Sequence, residues 1–533
     1  MVKNSSKIGL IKKAMYIWIV QYHGIIPLKI LKTYIHKFNH ESSNIAKYGQ
    51  RYYDPKNQIE YNKWLSMQTY KSEKKEVSIT FVGKESSFEN CNQMKYMSME
   101  KLDISKIDTE YVAVIEGNVQ LYPEFWFYLD KVENYDITYF DHDLIINGQR
   151  LDPYLKPDFS YFFLRQYNYI GPLFIVKKDL LKQFDGELIN EYKWLLELSD
   201  QNLKWKHVSK ILYGTDQEED YDRNTVREYL GDKVNIITKN ISKYGYVSYP
   251  VQGEPMVSII IPTKDNTDVL RTCIDSIVTK STYKNYEIVI VDNRSENIES
   301  LSYFERITTA FNNIHVVKAD VPFNYSLINN MAVKSSRGEY IVLLNNDTEI
   351  ITSDWMEKMI SYAQQEKCGS VGVKLYYKDG TIQHGGVITG KGGAMGAHRY
   401  YHKPHDEKGY MHTLDTVNDV ICCTAACLMV SRKKYNEIGG FNEELTVQYN
   451  DVDFGIRLYE KGYFNVFLPD VELYHYESKS RGIDKKKKSV DRYLSEIEYS
   501  KEHYGKYIKH DPFYNDQFDK NYDYMLIVGS GSN

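Results

Sequence analysis

The 533-residue chain has few cysteines, no excess of charge of one sign and no long apolar run. Only six cysteines occur (Cys91, Cys273, Cys368, Cys422, Cys423 and Cys427), and none stands at Cys-x-x-Cys spacing. That pattern excludes a thiolate metal knuckle and a dithiol redox centre. Three of the six fall in the apolar run Ile421–Val430, where Cys serves as a small hydrophobe. The economical setting is a reduced, cytoplasmic one. Lysine plus arginine number 67 against 72 acids, a net charge of −5, so no basic footprint for nucleic acid is present. Near the start, Ala14–Leu28 is uncharged but holds Gly24 and Pro27. At about 15 residues it falls short of the roughly 20 a spanning helix needs. No small-residue cleavage site follows it, so no secretory leader is expected.

Tyrosine, by contrast, is abundant, at 49 residues. Its apolar body and polar tip suit wet binding surfaces, sugars and interfaces among them; genome composition accounts for the count equally well. The length predicts two to four domains. Ile8–Phe38 mixes Ile, Leu, Trp and Tyr with Lys12, Lys13, Lys29, Lys32 and Lys37. Two readings stay open for it: a helical segment lying in a membrane interface, or a helix pair packed on the protein body.

The chain then repeats itself. Val77–Val82 echoes Val257–Pro262, Tyr111–Asn118 echoes Tyr340–Asp347, and Gly171–Lys178 parallels Ala425–Arg432. Phe184-Asp-Gly186 falls where Ile438-Gly-Gly440 stands. The expected organisation is an N-terminal segment (1–75), a first α/β unit (76–245), a second (250–510) and a tail (511–533). Pro250, Gly253 and Pro255 mark the junction. In the second unit, strands at Val257–Ile261, Glu287–Asp292, Ile314–Lys318 and Tyr340–Leu344 alternate with helical patterns at Asp268–Lys280 and Ser326–Ser336. Such alternation predicts a mostly parallel, Rossmann-like sheet, and such sheets bind ligands beyond the carboxyl ends of their strands. That edge gathers Thr263, Asp265, Asp292, Asn293 and Asp347.

Asp347 ends an apolar strand in Asn345-Asn346-Asp347, where a hard cation would be held by carboxylate and phosphate oxygens. Asn450-Asp-Val-Asp453 opens a helix, and Val471–His475 ends another strand in an imidazole that Mn²⁺ accepts beside carboxylate. These runs, with Val257–Asn266, Glu287–Asn293, Phe323–Ser326, Arg337–Asp347, Gly439–Glu444 and Tyr474–Ser478, resemble the family-2 glycosyltransferases. The two-unit layout, with Leu151–Asp158 in the weaker first unit, resembles bacterial O-antigen and rhamnan-type surface polysaccharide transferases.

The resemblance implies a GT-A fold in both units, the first degenerate, and an inverting, metal-dependent transfer. Asp265 and Asp292 would contact nucleobase and ribose, with Thr263, Asn293 and Asn345 among the donor-binding residues. Asp347 would bind Mn²⁺ or Mg²⁺ with His475, the family's preceding acids being replaced by Asn345 and Asn346. Asp451 would be the base, and Lys479 and Arg481 would steady the leaving diphosphate. Implied partners are a dTDP-rhamnose or UDP-hexose donor and a lipid-linked saccharide acceptor at the inner membrane face.

In the first unit Asn118 faces Asp347, Asn190 faces Asp451 and Gly214 faces His475 by eye. That unit is therefore expected to be a pseudo-transferase, serving acceptor binding, membrane contact or homodimer contact. Asp141-His-Asp143 looks like a metal motif but lies past the rim. Gly385–Lys391 has phosphate-loop spacing but is followed by Gly392 instead of Ser or Thr. The alternatives are a glycan-binding scaffold and, with less support, a sugar nucleotidyltransferase, which needs a Gly-rich turn that Pro262–Asn266 does not supply.

Overall fold

The computed structural model describes residues 52–53, 58–66, 68, 78–83, 96–98, 102–183, 190–216, 222–231, 234–239, 242–391, 394–477, 487–518, 520 and 527–528. The Ile8–Phe38 segment, Cys91, the Phe184-Asp-Gly186 turn, Lys479 and Arg481 lie outside them.

Two mixed sheets organise the rest. In the second, Val257–Thr263, Tyr286–Asp292, Ile314–Lys318 and Tyr340–Leu344 run parallel. The apolar runs of the three inner strands are buried on both faces, as parallel strands require, whereas the edge strand Ile314–Lys318 is only half-buried. Helix Thr267–Lys280 buries Leu270, Cys273, Ile274 and Ile277 on one side of this layer, and Tyr325–Ser335 buries Ile328, Ala332 and Val333. The parallel part stops at Tyr340–Leu344. Cys427–Ser431 pairs with it antiparallel, followed by Cys368–Tyr376, Phe464–His475 and the short Thr348–Ile350. Strand Phe464–His475 thereby returns its carboxyl end to the rim where Tyr340–Leu344 ends.

Among the described residues the first sheet repeats this path except for the edge strand Ile314–Lys318. Its order is Tyr96–Ser98, Ile79–Gly83, Tyr111–Ile115, Leu173–Lys177, Ile137–Ile146, Trp205–Thr215, Val119–Leu121. The internal duplication thus appears as topology.

The Asp141-His142-Asp143 motif sits on Ile137–Ile146, the counterpart of Cys368–Tyr376, and every member is engaged structurally. Asp143 accepts hydrogen bonds from Tyr61 and Tyr122 and pairs with Arg150. Asp141 meets His207 and the amide of Asn515. His142 stacks on Tyr154. Asn515 shows that residues 511–518 pack as a strap: Asp511 accepts from Thr389 of the second unit, while Gln517 donates to Ser209 of the first. The Pro250–Pro255 junction is held too, Tyr283 donating to Pro255 O and Gln364 pairing with Gln252.

Among the described residues no helix is long and apolar enough to cross a membrane. Five cysteines are described; all are buried and free.

Candidate active site

The rim is built from loop ends that strands deliver to one edge. Thr263 and Asp292 are register partners on adjacent parallel strands, so both point out of the same sheet end. Asn293 N–H donates to Thr263 O, and its amide donates to Ala319 O and Val321 O, stapling the third strand's exit to the second. Asp292 Oδ1 accepts the Ser295 N–H at 2.9 Å. Asp265 Oδ1 accepts the N–H groups of Glu296 and Asn297, which orients the start of helix Ile298–Ala310. Asp265 and Asn266 both adopt left-handed backbone (φ 53° and 54°), an uncommon state for residues with a Cβ, and one that concentrates at functional sites. Asn346 Nδ2 donates to Thr263 Oγ1 at 3.0 Å, tying the two strand ends together.

Asp347 is buried and sits next to the Thr348–His475 register pair. His475 Nε2 lies 3.2 Å from Asp347 Oδ1 and 3.2 Å from the Asn345 amide nitrogen. Its Nδ1 lies 2.8 Å from the Gln383 amide nitrogen and 3.0 Å from Gln383 Oε1, and that amide nitrogen also donates to Glu477. Gln383 thus holds one edge of the ring while Nε2 faces a carboxylate oxygen. An imidazole nitrogen and a carboxylate oxygen at this spacing suit adjacent positions on one cation: ligands about 2.1 Å from an ion are about 3 Å apart. Among the described residues no third His, Cys, Asp or Glu joins them. Remaining positions would therefore fall to donor phosphate and water. Asn345, read from sequence as donor-binding, donates to His475.

Asp451 lies on the first turn of helix Asn450–Glu460. Its Oδ2 accepts the Ala425 N–H at 3.3 Å and its Oδ1 its neighbour Val452 N–H at 2.9 Å. Burial pushes its carboxyl above the usual range, and these amides only partly oppose that. Strand Cys427–Ser431 is entered through Thr424–Ala425, so the element beside Tyr340–Leu344 is the one that holds Asp451. Asp453, by contrast, is fully buried and engaged with Arg457 and Tyr504.

Sequence reasoning did not find Gln383, Tyr377 and Tyr401. Gln383 supports His475, and Tyr377 links Tyr401 to Glu477. They lie on strands and loops 24 to 100 residues from their partners, and no local spacing reports them.

Register also corrects the comparison between units. Thr348 faces His475, and Val119, the residue after Asn118, faces Thr215. The counterpart of His475 is therefore Thr215, one residue beyond Gly214. Asn190 caps helix Glu191–Ser199, while Asp451 lies inside its own helix. Counting from the two helix starts aligns Asp451 with Tyr192, and counting from the two ends aligns it with Asn190. Neither is a carboxylate.

Residues 258–439 match the family model described as "Glycosyl transferase family 2". A protein of Sinorhizobium fredii described as "Uncharacterized protein y4gI" is 35% identical over 73% of this chain and 45% of its own length. The "O-antigen biosynthesis protein RfbC" of Myxococcus xanthus is 33% identical over 65% of this chain and 29% of its own. An "N-acetylglucosaminyl-diphospho-decaprenol L-rhamnosyltransferase" of Mycobacterium tuberculosis is 36% identical, over only 11% of this chain and 20% of its own. The chain spans less than half the length of each of these three relatives.

Proposed function

We propose that this chain, whose residues 258–439 make its second unit a family-2 glycosyltransferase domain, transfers a sugar from a nucleoside diphosphate to a saccharide hydroxyl with inversion. The carrying observation is Asp451, a carboxylate whose burial raises its proton affinity at the rim that also holds Asp347 and His475. A base of raised pKa, close to the operating pH, is what general-base catalysis favours.

In this reading Asp292 and Asp265 receive the nucleoside, with Thr263 and Asn293 shaping the floor beneath it. Asp347 and His475 would hold Mn²⁺ or Mg²⁺, which would neutralise charge on the leaving diphosphate. Asp451 takes the proton of the attacking hydroxyl as the glycosidic bond forms and the bond to diphosphate breaks. Lys479 and Arg481 are proposed, from sequence alone, to approach the diphosphate. The O-antigen relative supports a bacterial surface glycan as product, and the decaprenol-linked substrate named for the mycobacterial relative supports a lipid-linked acceptor. dTDP-rhamnose and UDP-hexoses are the donors to try. The first unit, lacking all three groups, would serve binding and not chemistry. Membrane contact through the N-terminal segment and a homodimer through the first unit belong to the same proposal.

The experiment is nucleoside diphosphate release from a panel of dTDP- and UDP-sugars with Mn²⁺, for the native protein and Asp451→Asn. Turnover of one donor, lost in the variant, supports the reading. Silence across the panel, with no donor binding by calorimetry, would favour the glycan-binding scaffold.

A further inference from the structure

Two histidines beside this rim take no part in the proposed chemistry. His384 ends strand Ile382–His384, and His398 ends strand Ala397–His398, which pairs with Val387–Ile388. Their Nδ1 atoms lie 2.7 Å apart with the rings perpendicular. At that separation only one of the two nitrogens carries hydrogen. A third contact fixes which. The backbone N–H of Thr424 points at His384 Nε2 (3.4 Å), so that nitrogen is an acceptor. The single proton of His384 then sits on Nδ1 and is donated to His398 Nδ1, and neutral His398 must carry its own proton on Nε2. Burial favours the uncharged rings: it pushes His384 well below the usual histidine range and His398 to about 4.

The chain of bonds is anchored in the active site. Thr424 precedes Ala425, whose N–H holds Asp451. Gly396, two residues before His398, lies against the first turn of the Asp451 helix: a Cβ there would come within 2.8 Å of Val452 Cγ2. Glu477 and His475 act electrostatically on His398, so the ring lies near the His475 side of the rim, while Gly396 ties its strand to the Asp451 helix. His384 is fully buried, whereas His398 is partly exposed.

We propose that His398 is a specificity-determining residue that donates its Nε2–H to a non-reacting hydroxyl of the saccharide acceptor, and that His384 is a positioning residue that fixes the tautomer. The proposal rests on the reading of Asp451 as base. The hairpin Val387–His398 then has a definite role, because a fixed donor on one hydroxyl orients the neighbouring hydroxyl toward Asp451. A histidine free to exchange tautomers would present a donor only part of the time.

The test has two parts, both on the full chain. Nitrogen-15 NMR of labelled histidines, assigned by His384→Gln and His398→Gln, is expected to show His384 protonated on Nδ1 and His398 on Nε2 near neutral pH. The reverse tautomers, or a charged ring, would overturn the relay. Transfer to octyl glycosides of glucose, galactose, N-acetylglucosamine and rhamnose is then compared with hydrolysis of the donor by water. For His398→Ala the acceptor KM should rise about tenfold, the worth of one hydrogen bond, with donor hydrolysis unchanged. His398→Gln, which keeps an N–H, should recover part of the loss. An unchanged acceptor KM, or equal loss of donor hydrolysis, would overturn the proposal. Undiminished transfer by Asp451→Asn would instead remove the base while leaving the tautomer result standing.

Discussion

His475 Nε2 lies 3.2 Å from Asp347 Oδ1 in the second sheet, and at the same topological place in the first sheet Asn118 Nδ2 donates to Asp216 Oδ2 at 2.8 Å. One unit therefore presents an imidazole and a carboxylate, two groups that could bind one cation together, while the other has an amide–carboxylate hydrogen bond there. This difference at corresponding rims underlies the first prediction.

Asp347→Ala and His475→Ala should each remove donor turnover that depends on divalent cation, with chelation doing the same to the native protein. Asn118→Ala should leave it intact. Titration of Mn²⁺ against nucleoside diphosphate release checks this, and full activity of Asp347→Ala without added metal would contradict it.

Asp451→Asn should lower kcat by about 10²- to 10⁴-fold, the usual share of a general base, with nucleotide binding unchanged. The base acts deprotonated, so kcat should fall as pH falls through its pKa. Because burial raises that pKa, the acid limb should lie above the value of an ordinary aspartate. Loss of nucleotide affinity in the variant would move Asp451 to the donor side.

Asp419, at the seam between the units, accepts hydrogen bonds from Ser160 Oγ and the Phe162 and Phe163 N–H groups. Burial pushes its carboxyl up to about 7. The folded state therefore holds this proton more tightly than the unfolded chain. Stability should fall as pH rises from about 4 to about 7, by at most about 4 kcal/mol at 1.4 kcal/mol per pH unit. Asp419→Asn keeps an acceptor oxygen and removes the charge, so its Tm should depend less on pH across that window. Parallel Tm–pH curves for the two proteins would refute the assignment.

The five described cysteines are buried and free, and burial pushes the thiols of Cys273, Cys368 and Cys423 up to about 12. A thiol reagent at neutral pH should modify at most Cys91 in the native protein and all six after denaturation. Rapid labelling of two or more native thiols would contradict the burial of these five side chains.

Much of this was legible in the chain. Apolar runs such as Ile288–Val291 and Ile341–Leu344 predicted buried strands, and the echo of Tyr340–Asp347 in Tyr111–Asn118 predicted a second sheet of the same kind. The rim acids could be named because a strand's carboxyl end is visible as the point where an apolar run turns polar. The reversed strand was less legible. Cys427–Ser431 has the same apolar composition as its neighbours Tyr340–Leu344 and Cys368–Tyr376, to both of which it is antiparallel, and composition carries no direction. Eye alignment put His475 opposite Gly214, whereas register gives Thr215, because a one-residue shift leaves no mark in a degenerate sequence.

The sequence by itself determined which residues end the strands, and so the carboxylates and the imidazole available for chemistry, because burial of apolar runs and exposure of their polar ends are local properties. Only the tertiary structure decided what each polar group faces. Gln383 turns His475 toward Asp347, Ala425 holds Asp451 and Thr424 makes His384 an acceptor. The partners in these contacts lie between 26 and 128 residues apart. They meet because strands distant in the chain are hydrogen-bonded neighbours in one sheet.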